Sequence, residues 1–185
     1  MPFFTTPTYR LMALFTLTLG AIWIGLTPAL PNPTGEKIPA PRAGFAAPDF
    51  TLPTPDGETI TLSELRGRPV IVNLWASWCG PCRAEMPALQ RIYETYQDTG
   101  LVILAVNATQ QDSEAAALAF VAEHGLTFPI LLDVDGEASH LYELRALPST
   151  YFIRPDGTIE EVVLGGPMAE ALLSTRVERL LTLGD

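Results

Sequence analysis

One pentapeptide decides how this chain folds: Trp78-Cys79-Gly80-Pro81-Cys82. Its two cysteines are the only ones in 185 residues, so all the thiol chemistry belongs to one local pair. An apolar run at 70–75 precedes the pair and apolar residues at helical spacing follow it, which predicts a strand-to-helix junction. Two thiols three positions apart at such a junction suit reversible exchange of an electron pair.

The start of a helix favours the reactive form of the first sulfur. An attacking sulfur must be a thiolate, whereas a free cysteine with a pKa of about 8.5 is mostly protonated at neutral pH. Unpaired N–H groups and the macrodipole at a helix N-terminus stabilise the anion, and the first turn has no use for the N–H that Pro81 lacks. We predict that Cys79 is the nucleophile and that Cys82 resolves the mixed disulfide.

Metal binding is the alternative use of two cysteines at this spacing. Zinc would need two further ligands, and neither His124 nor His140 stands at ligand spacing. A c-type haem would need a histidine directly after Cys82, where Arg83 stands. We therefore expect no metal and no cofactor.

The composition indicates one acidic domain with a core of its own. Hydrophobic residues make up 48% of the chain, so the cysteines are not needed as a structural crosslink. Lys and Arg number 11 against 21 Asp and Glu, and such a surface repels phosphate backbones. Nucleic-acid binding is therefore excluded as a function class.

The N-terminal segment has the pattern of a membrane anchor. Residues 11–30 carry no charge, and about twenty helical residues span the hydrocarbon core of a bilayer. Arg10 favours an orientation that leaves residues 1–10 in the cytoplasm. A cleaved signal peptide is the competing interpretation, with a poor cleavage site at 27–29. Both interpretations place the rest of the chain outside the cytoplasm, and a retained anchor makes this a single-pass protein of the cell membrane.

The remaining sequence divides into a linker and a globular part. Residues 31–44 contain four prolines and predict a stiff, extended linker, and a globular pattern begins at residue 45 and continues to 185. Besides the strand and helix at the cysteines, we predict a hairpin at 47–62, strands at 101–106 and 128–132, helices at 112–123 and 137–144, a hairpin at 149–164 and a helix at 168–181. This alternation indicates a mixed α/β sheet with helices on both faces.

The run WASWCGPCRAEMP at 75–87 resembles thioredoxin-fold proteins, specifically their membrane-tethered TlpA/ResA-like branch. The resemblance covers about residues 45–185. It implies a thioredoxin-like fold with an N-terminal β-hairpin extension and an inserted segment near 108–125. It also implies a thiol:disulfide oxidoreductase, since this branch includes the thiol reductants of cytochrome c maturation.

The resemblance implies further site residues around the two cysteines. The cis-proline of the family corresponds to Pro148, and a cis bond there would expose the main chain of Leu147 to a substrate strand. Trp78, Gly80 and Pro81 are expected to shape the face on which the substrate docks.

Proton handling is expected at a carboxyl group one turn after the second cysteine. Glu85 matches an acidic residue of the branch, which implies a proton shuttle to or from the resolving thiol. A simple interaction with the helix dipole stays open as the alternative. Asn73 stands where ordinary thioredoxins have a buried acid, which shifts proton handling toward Glu85 or water.

The predicted function is a membrane-anchored, extracytoplasmic thiol:disulfide oxidoreductase. We expect it to reduce exported disulfide-containing proteins, apocytochrome c being one candidate, and to be recharged by a membrane electron-donor protein. The Gly-Pro dipeptide matches thioredoxin, whose potential is about −270 mV, and favours a reductant, while an oxidant or isomerase stays open.

Two other functions are possible on the same fold, a thiol peroxidase and a copper-binding redox chaperone. A thiol peroxidase needs a threonine three residues before its reactive cysteine, where Ala76 stands. A copper-binding redox chaperone needs a wider cysteine spacing with a nearby histidine, and neither is present in this pattern.

Overall fold

The computed structural model describes Thr16 and residues 38–183. The strands are β1 (Thr51–Pro53), β2 (Thr59–Thr61), β3 (Val70–Trp75), β4 (Val102–Asn107), β5 (Ile130–Leu132), β6 (Ser149–Ile153) and β7 (Ile159–Leu164). The helices are α1 (Gly80–Tyr96), α2 (Glu114–His124), α3 (Glu137–Leu141) and α4 (Glu170–Thr182).

The strands form a small hairpin and one central sheet. β1 and β2 pair in an antiparallel hairpin, and the other five strands lie in the order β5-β4-β3-β6-β7. β3, β4 and β5 run parallel, whereas β6 is antiparallel to both β3 and β7. Every residue of β3 and β4 is buried, as expected of apolar strands that are covered on both faces.

Alternate residues of β3 point into two separate cores. Ile71 and Trp75 belong to a core shared with α1, α2 and α4. Val72 and Leu74 point the other way, into a core completed by the β1–β2 hairpin and α3. Both faces of the sheet are therefore covered, but the long helices lie on one face, and the hairpin and the short α3 lie on the other.

Helix boundaries follow from local backbone chemistry. α1 begins directly after Cys79 and continues through Pro87 to Tyr96. α2 begins after Ser113 and ends at Gly125, which adopts the left-handed conformation with a φ of 59°. The helix predicted at 137–144 ends earlier, at Leu141, because Glu143 takes a left-handed φ of 47° that a helix cannot contain.

The N-terminal predictions are mostly outside the described residues. These predictions are the cytoplasmic segment 1–10, the anchor at 11–30 apart from Thr16, and the linker up to residue 37. Within the described part of the chain, no helix combines the length and the apolar character that crossing a bilayer requires. The end of the predicted linker contacts the domain, since the Gly44 N–H donates to the Ile159 carbonyl at 2.8 Å.

Candidate active site

The two cysteines lie at the junction of β3 with α1. Their sulfurs are joined in a disulfide, so the structure represents the oxidised protein. Cys79 is the N-cap residue of α1, and its Sγ accepts a hydrogen bond from the Cys82 N–H at 3.2 Å. Pro81 occupies the first turn, as predicted. The same N–H that reaches the sulfur here can stabilise a thiolate after reduction.

A groove beside the disulfide gives access to one of the two sulfurs. Its volume is about 330 Å³, and we call it the dithiol groove. It is lined by Trp78, Cys79, Gly80, Pro81, Gln111, Leu144, Arg145, Ala146 and Leu147. Cys82 is not among these residues and is 1% exposed, whereas Cys79 lines the groove and is 4% exposed. A partner molecule therefore meets Cys79 first.

One wall of the dithiol groove is an exposed aromatic ring. Trp78 is 60% exposed. Its indole N–H donates to the Gln111 carbonyl at 2.8 Å, in the turn that follows β4. The ring is thereby held at the edge of the groove while its face remains open to a ligand.

Another part of the groove lining directly precedes the proline predicted from the resemblance. The Leu147-Pro148 peptide bond is cis. Leu147 lines the dithiol groove, and the Pro148 carbonyl accepts a hydrogen bond from the Gly165 N–H at 2.8 Å. The structure thus brings Leu147 and Cys79 to the same groove, from segments that are far apart in the sequence.

Glu85 lies one turn after Cys82 on α1 and is almost completely buried, at 1% exposure. The Asn73 amide donates to its Oε1 at 3.1 Å, and the Met168 N–H donates to its Oε2 at 2.8 Å. The Thr150 hydroxyl is 3.5 Å from Oε1. Asn73 and Thr150 are direct partners across β3 and β6, so the register of the sheet brings both side chains to Glu85.

The protonation of Glu85 is governed by its surroundings. Burial raises the pKa of its carboxyl group above the usual 4.5, and the hydrogen bonds from Met168, Thr150 and Asn73 oppose this shift without cancelling it. Residues three apart on a helix lie on the same face, so Glu85 and Cys82 share the inward face of α1. This position suits proton exchange with the second sulfur.

A second carboxylate holds the segment between β3 and α1. Asp112 accepts hydrogen bonds from the Ser77 N–H at 2.6 Å and the Ser77 hydroxyl at 2.7 Å. It also accepts from the Asn107 amide at 2.9 Å and the Ser113 N–H at 2.8 Å. Burial opposes ionisation, but these hydrogen bonds outweigh it and lower the pKa of Asp112. The residues just before the disulfide are therefore fixed to the turn that follows β4.

Sequence reasoning did not find several residues of this site. Thr150 and Asp112 are ordinary polar residues in the sequence, and Met168 contributes only its main chain. The one available signal was the pair of glycines, Gly165 and Gly166, directly after the last strand. A Cβ on Gly166 would lie 2.8 Å from Glu85 Oε2 and 2.9 Å from Pro148 Cγ, so only glycine fits there without displacing its neighbours.

Ala76 and the two histidines are the residues that bear on a peroxidase or a metal-binding function. Ala76, where a peroxidase would need threonine, is fully buried. His124 stacks on Phe120 with 4.0 Å between ring centroids, and His140 lines a different groove. Among the described residues, no three His, Cys, Asp or Glu side chains come together in a way that would hold a metal ion.

Comparisons with known proteins agree with this geometry. A profile described as the AhpC/TSA family matches residues 43–162. The thiol-disulfide oxidoreductase ResA of Oceanobacillus iheyensis is 44% identical, over 67% of this chain and 66% of that protein. ResA of Bacillus subtilis is 36% identical, over 70% of this chain and 71% of that protein. The crystal structure of a secreted Mycobacterium tuberculosis disulfide oxidoreductase homologous to E. coli DsbE matches at 29% identity with a TM-score of 0.64, over 71% of this chain and 96% of that one.

Proposed function

This chain belongs to the ResA-like thiol-disulfide oxidoreductases of the AhpC/TSA family, and we propose that it reduces disulfides of exported proteins at the outer face of the cell membrane. The observation that carries this proposal is the unequal placement of the two sulfurs. Both cysteines are largely buried, at 4% and 1% exposure, but Cys79 lines an open groove at the start of a helix and Cys82 does not. This arrangement suits an attacking sulfur that meets the substrate and a resolving sulfur that does not.

The reaction proceeds by two exchanges of sulfur partners. The Cys79 thiolate attacks one sulfur of a substrate disulfide, which forms a mixed disulfide and releases the other substrate sulfur as a thiolate that takes up a proton. The Cys82 sulfur, after losing its proton, then attacks Cys79 Sγ and releases the second substrate thiol. The substrate gains two electrons and two protons, and the protein is left with the Cys79–Cys82 disulfide.

Nearby groups assist each of these steps. The Cys82 N–H and the start of α1 stabilise the Cys79 thiolate. Glu85, on the inward face of α1, accepts the proton that Cys82 must lose before it can attack. Trp78, Gly80, Pro81 and the main chain of Leu147 hold the substrate strand beside Cys79.

The sequence supports two parts of the proposal: that the protein is a reductant, and that its globular domain lies outside the cytoplasm. The Gly80-Pro81 dipeptide is that of thioredoxin, a reductant with a potential of about −270 mV. The uncharged segment 11–30 supports a retained anchor with residues 45–185 outside the cytoplasm, and one structural relative is a secreted protein.

Partners follow from this location. A reductant outside the cytoplasm must be recharged across the membrane, which requires a membrane protein as electron donor. Apocytochrome c is a candidate substrate because its Cys-x-x-Cys-His motif must be reduced before haem is attached.

Trapping the mixed disulfide tests the order of the two cysteines. A Cys82→Ser variant retains the attacking sulfur but cannot resolve the intermediate, so we expect it to accumulate covalent adducts with disulfide-containing proteins. A Cys79→Ser variant should give none. Non-reducing electrophoresis followed by mass spectrometry measures both, and adducts on Cys82 alone would reverse the assigned roles.

Redox titration against glutathione or dithiothreitol tests the direction. We expect a potential near that of thioredoxin, about −270 mV. A potential above about −150 mV, close to that of the oxidant DsbA, would contradict the proposal that the protein is a reductant.

A further inference from the structure

A second groove lies beside the dithiol groove, and the reaction above makes no use of it. It has a volume of about 400 Å³ and is lined in part by Gln110, Ser139, His140 and Glu143. We call it the polar groove. Three residues line both grooves, Gln111, Leu144 and Arg145. The polar groove is therefore a continuation of the space in which Cys79 meets its substrate.

Both walls of the polar groove are fixed by one buried residue. The carbonyl of Asp133 accepts a hydrogen bond from the Gln110 N–H at 3.3 Å. Its carboxylate accepts from the Ala138 N–H at 3.1 Å and the Ser139 N–H at 2.8 Å, at the start of α3. Asp133 has no exposed surface. The distance between the two walls is thus set in the folded protein before any ligand arrives.

The Gln110 side chain lies directly against a glycine at the start of α3. Gly136 has a φ of +75°, and a Cβ there would lie 2.1 Å from Gln110 Oε1. Any other residue would displace this side chain. On the same side, the main chain of Glu143 is in the left-handed region with a φ of 47°, a conformation that costs energy for a non-glycine residue and is often found at ligand sites.

The polar groove offers hydrogen-bonding groups with little net charge. The Ser139 hydroxyl is buried and has no hydrogen-bond partner among the described residues, so the groups that a ligand can reach belong to other residues of the groove. Gln110 and His140 are exposed. The charge of Arg145 is balanced by Glu143, which it contacts at 3.0 Å.

We propose that the polar groove binds the stretch of substrate polypeptide that flanks the attacked cysteine, in extended form and with polar side chains. The inference rests on the proposed function, because it takes the substrate disulfide to be at Cys79 in the continuous dithiol groove. A carboxamide such as that of Gln110 both donates and accepts, as does a peptide main chain. An apolar segment would take Gln110 and His140 out of water without replacing their hydrogen bonds, so the groove selects against it.

Peptide disulfides of different lengths test the proposal. One substrate carries a single residue on each side of its cysteine, and two others add about eight polar residues, or roughly 26 Å of extended chain, at one end or the other. For the wild-type protein we expect kcat/KM to rise about tenfold for one of the two extended peptides. Glutathione disulfide serves as the substrate that is too small to reach the polar groove.

A matched pair of variants locates the effect. Gln110→Leu removes the amide from the polar groove, and we expect it to return the extended peptide to the rate of the short one. Gln97→Leu makes the same change at another exposed glutamine in a similar turn, Gln97–Thr99, and should keep the gain. Neither variant should change the rate with glutathione disulfide. His140→Ala, a second change confined to the polar groove, should also reduce the gain.

Several results would overturn the inference. One is that kcat/KM does not rise when the peptide is extended at either end. Another is that the rise survives both Gln110→Leu and His140→Ala, or is lost equally in Gln97→Leu. A third is that apolar added residues give an equal rise in kcat/KM. Failure of the wild-type protein to react with glutathione disulfide or any peptide would instead count against the proposed function.

Discussion

At the residue scale, Glu85 is the group that we propose exchanges a proton with Cys82. Its burial raises the pKa of the carboxyl group above 4.5, the value of an ordinary glutamate. The folded protein therefore keeps this proton to a higher pH than the unfolded chain does. Below about pH 4.5 both states hold the proton. As pH rises through the folded pKa, the cost of ionising a buried carboxyl group reduces stability.

A Glu85→Gln variant removes this ionisation. We expect the free energy of unfolding of the oxidised variant, relative to wild type, to increase as pH rises above 4.5, because only the wild-type protein must ionise a buried carboxyl group. Denaturant unfolding at a series of pH values measures the difference. Glu64→Gln, at an exposed position, is the control, since it makes the same substitution without removing a buried carboxyl group. A constant difference for Glu85→Gln would contradict the prediction.

The same variant tests the catalytic role of Glu85 in the reduced protein. A carboxylate near the thiols opposes formation of a second negative charge, so its removal should lower the thiol pKa. We expect the midpoint of Cys79 alkylation to move to lower pH by about half a unit or more. An unchanged midpoint would remove Glu85 from proton transfer and leave it a structural residue.

At the element scale, Asp112 connects the start of α1 to the turn after β4. Its carboxylate accepts four hydrogen bonds, two of them from Ser77, which precedes the disulfide segment. Hydrogen bonds to a charged group are stronger than those between neutral groups. The lowered pKa of Asp112 means that this contribution is complete above about pH 3.8 and is lost as pH falls below it.

An Asp112→Ala variant should lose the hydrogen bonds that join the start of α1 to the turn after β4. We expect a loss of about 2–3 kcal/mol in the free energy of unfolding at pH 7, since four donors lose their acceptor. We also expect slower exchange with substrate, because the segment that carries Trp78 is less well held. Asp98→Ala, an exposed aspartate in another turn, should change stability by less than about 0.5 kcal/mol. Equal effects of the two substitutions, measured by denaturant unfolding, would show that the Asp112 contacts contribute little.

At the scale of the whole molecule, the proposed anchor decides where the chemistry takes place. We expect the full chain to sediment with membranes and to need detergent for release, and a chain that begins at residue 38 to be recovered in the soluble fraction. In intact cells, a membrane-impermeant maleimide should label reduced Cys79. Recovery of the full chain without detergent would count against the anchor, and labelling only after lysis would count against the extracytoplasmic location.

The elements nearest the cysteines were the most predictable. β3 and α1 follow from a continuous apolar run and from helical spacing, and both lie where these patterns predict them. The helix predicted from 137 was three residues too long, because the left-handed φ of Glu143 depends on the packing around it. Glu85 was predicted from a resemblance, but its partners were not.

The sequence by itself determined the dithiol, its place at the start of a helix and the α/β class of the fold, since each of these depends on residues close together along the chain. Only the tertiary structure decided what surrounds Glu85, because its hydrogen-bond partners lie 12, 65 and 83 residues away in the sequence. The tertiary structure also determined the dithiol groove and the polar groove. Their walls come from separate loops and helix starts at one end of the strands, and strand pairing and close packing, which no local pattern encodes, bring them together.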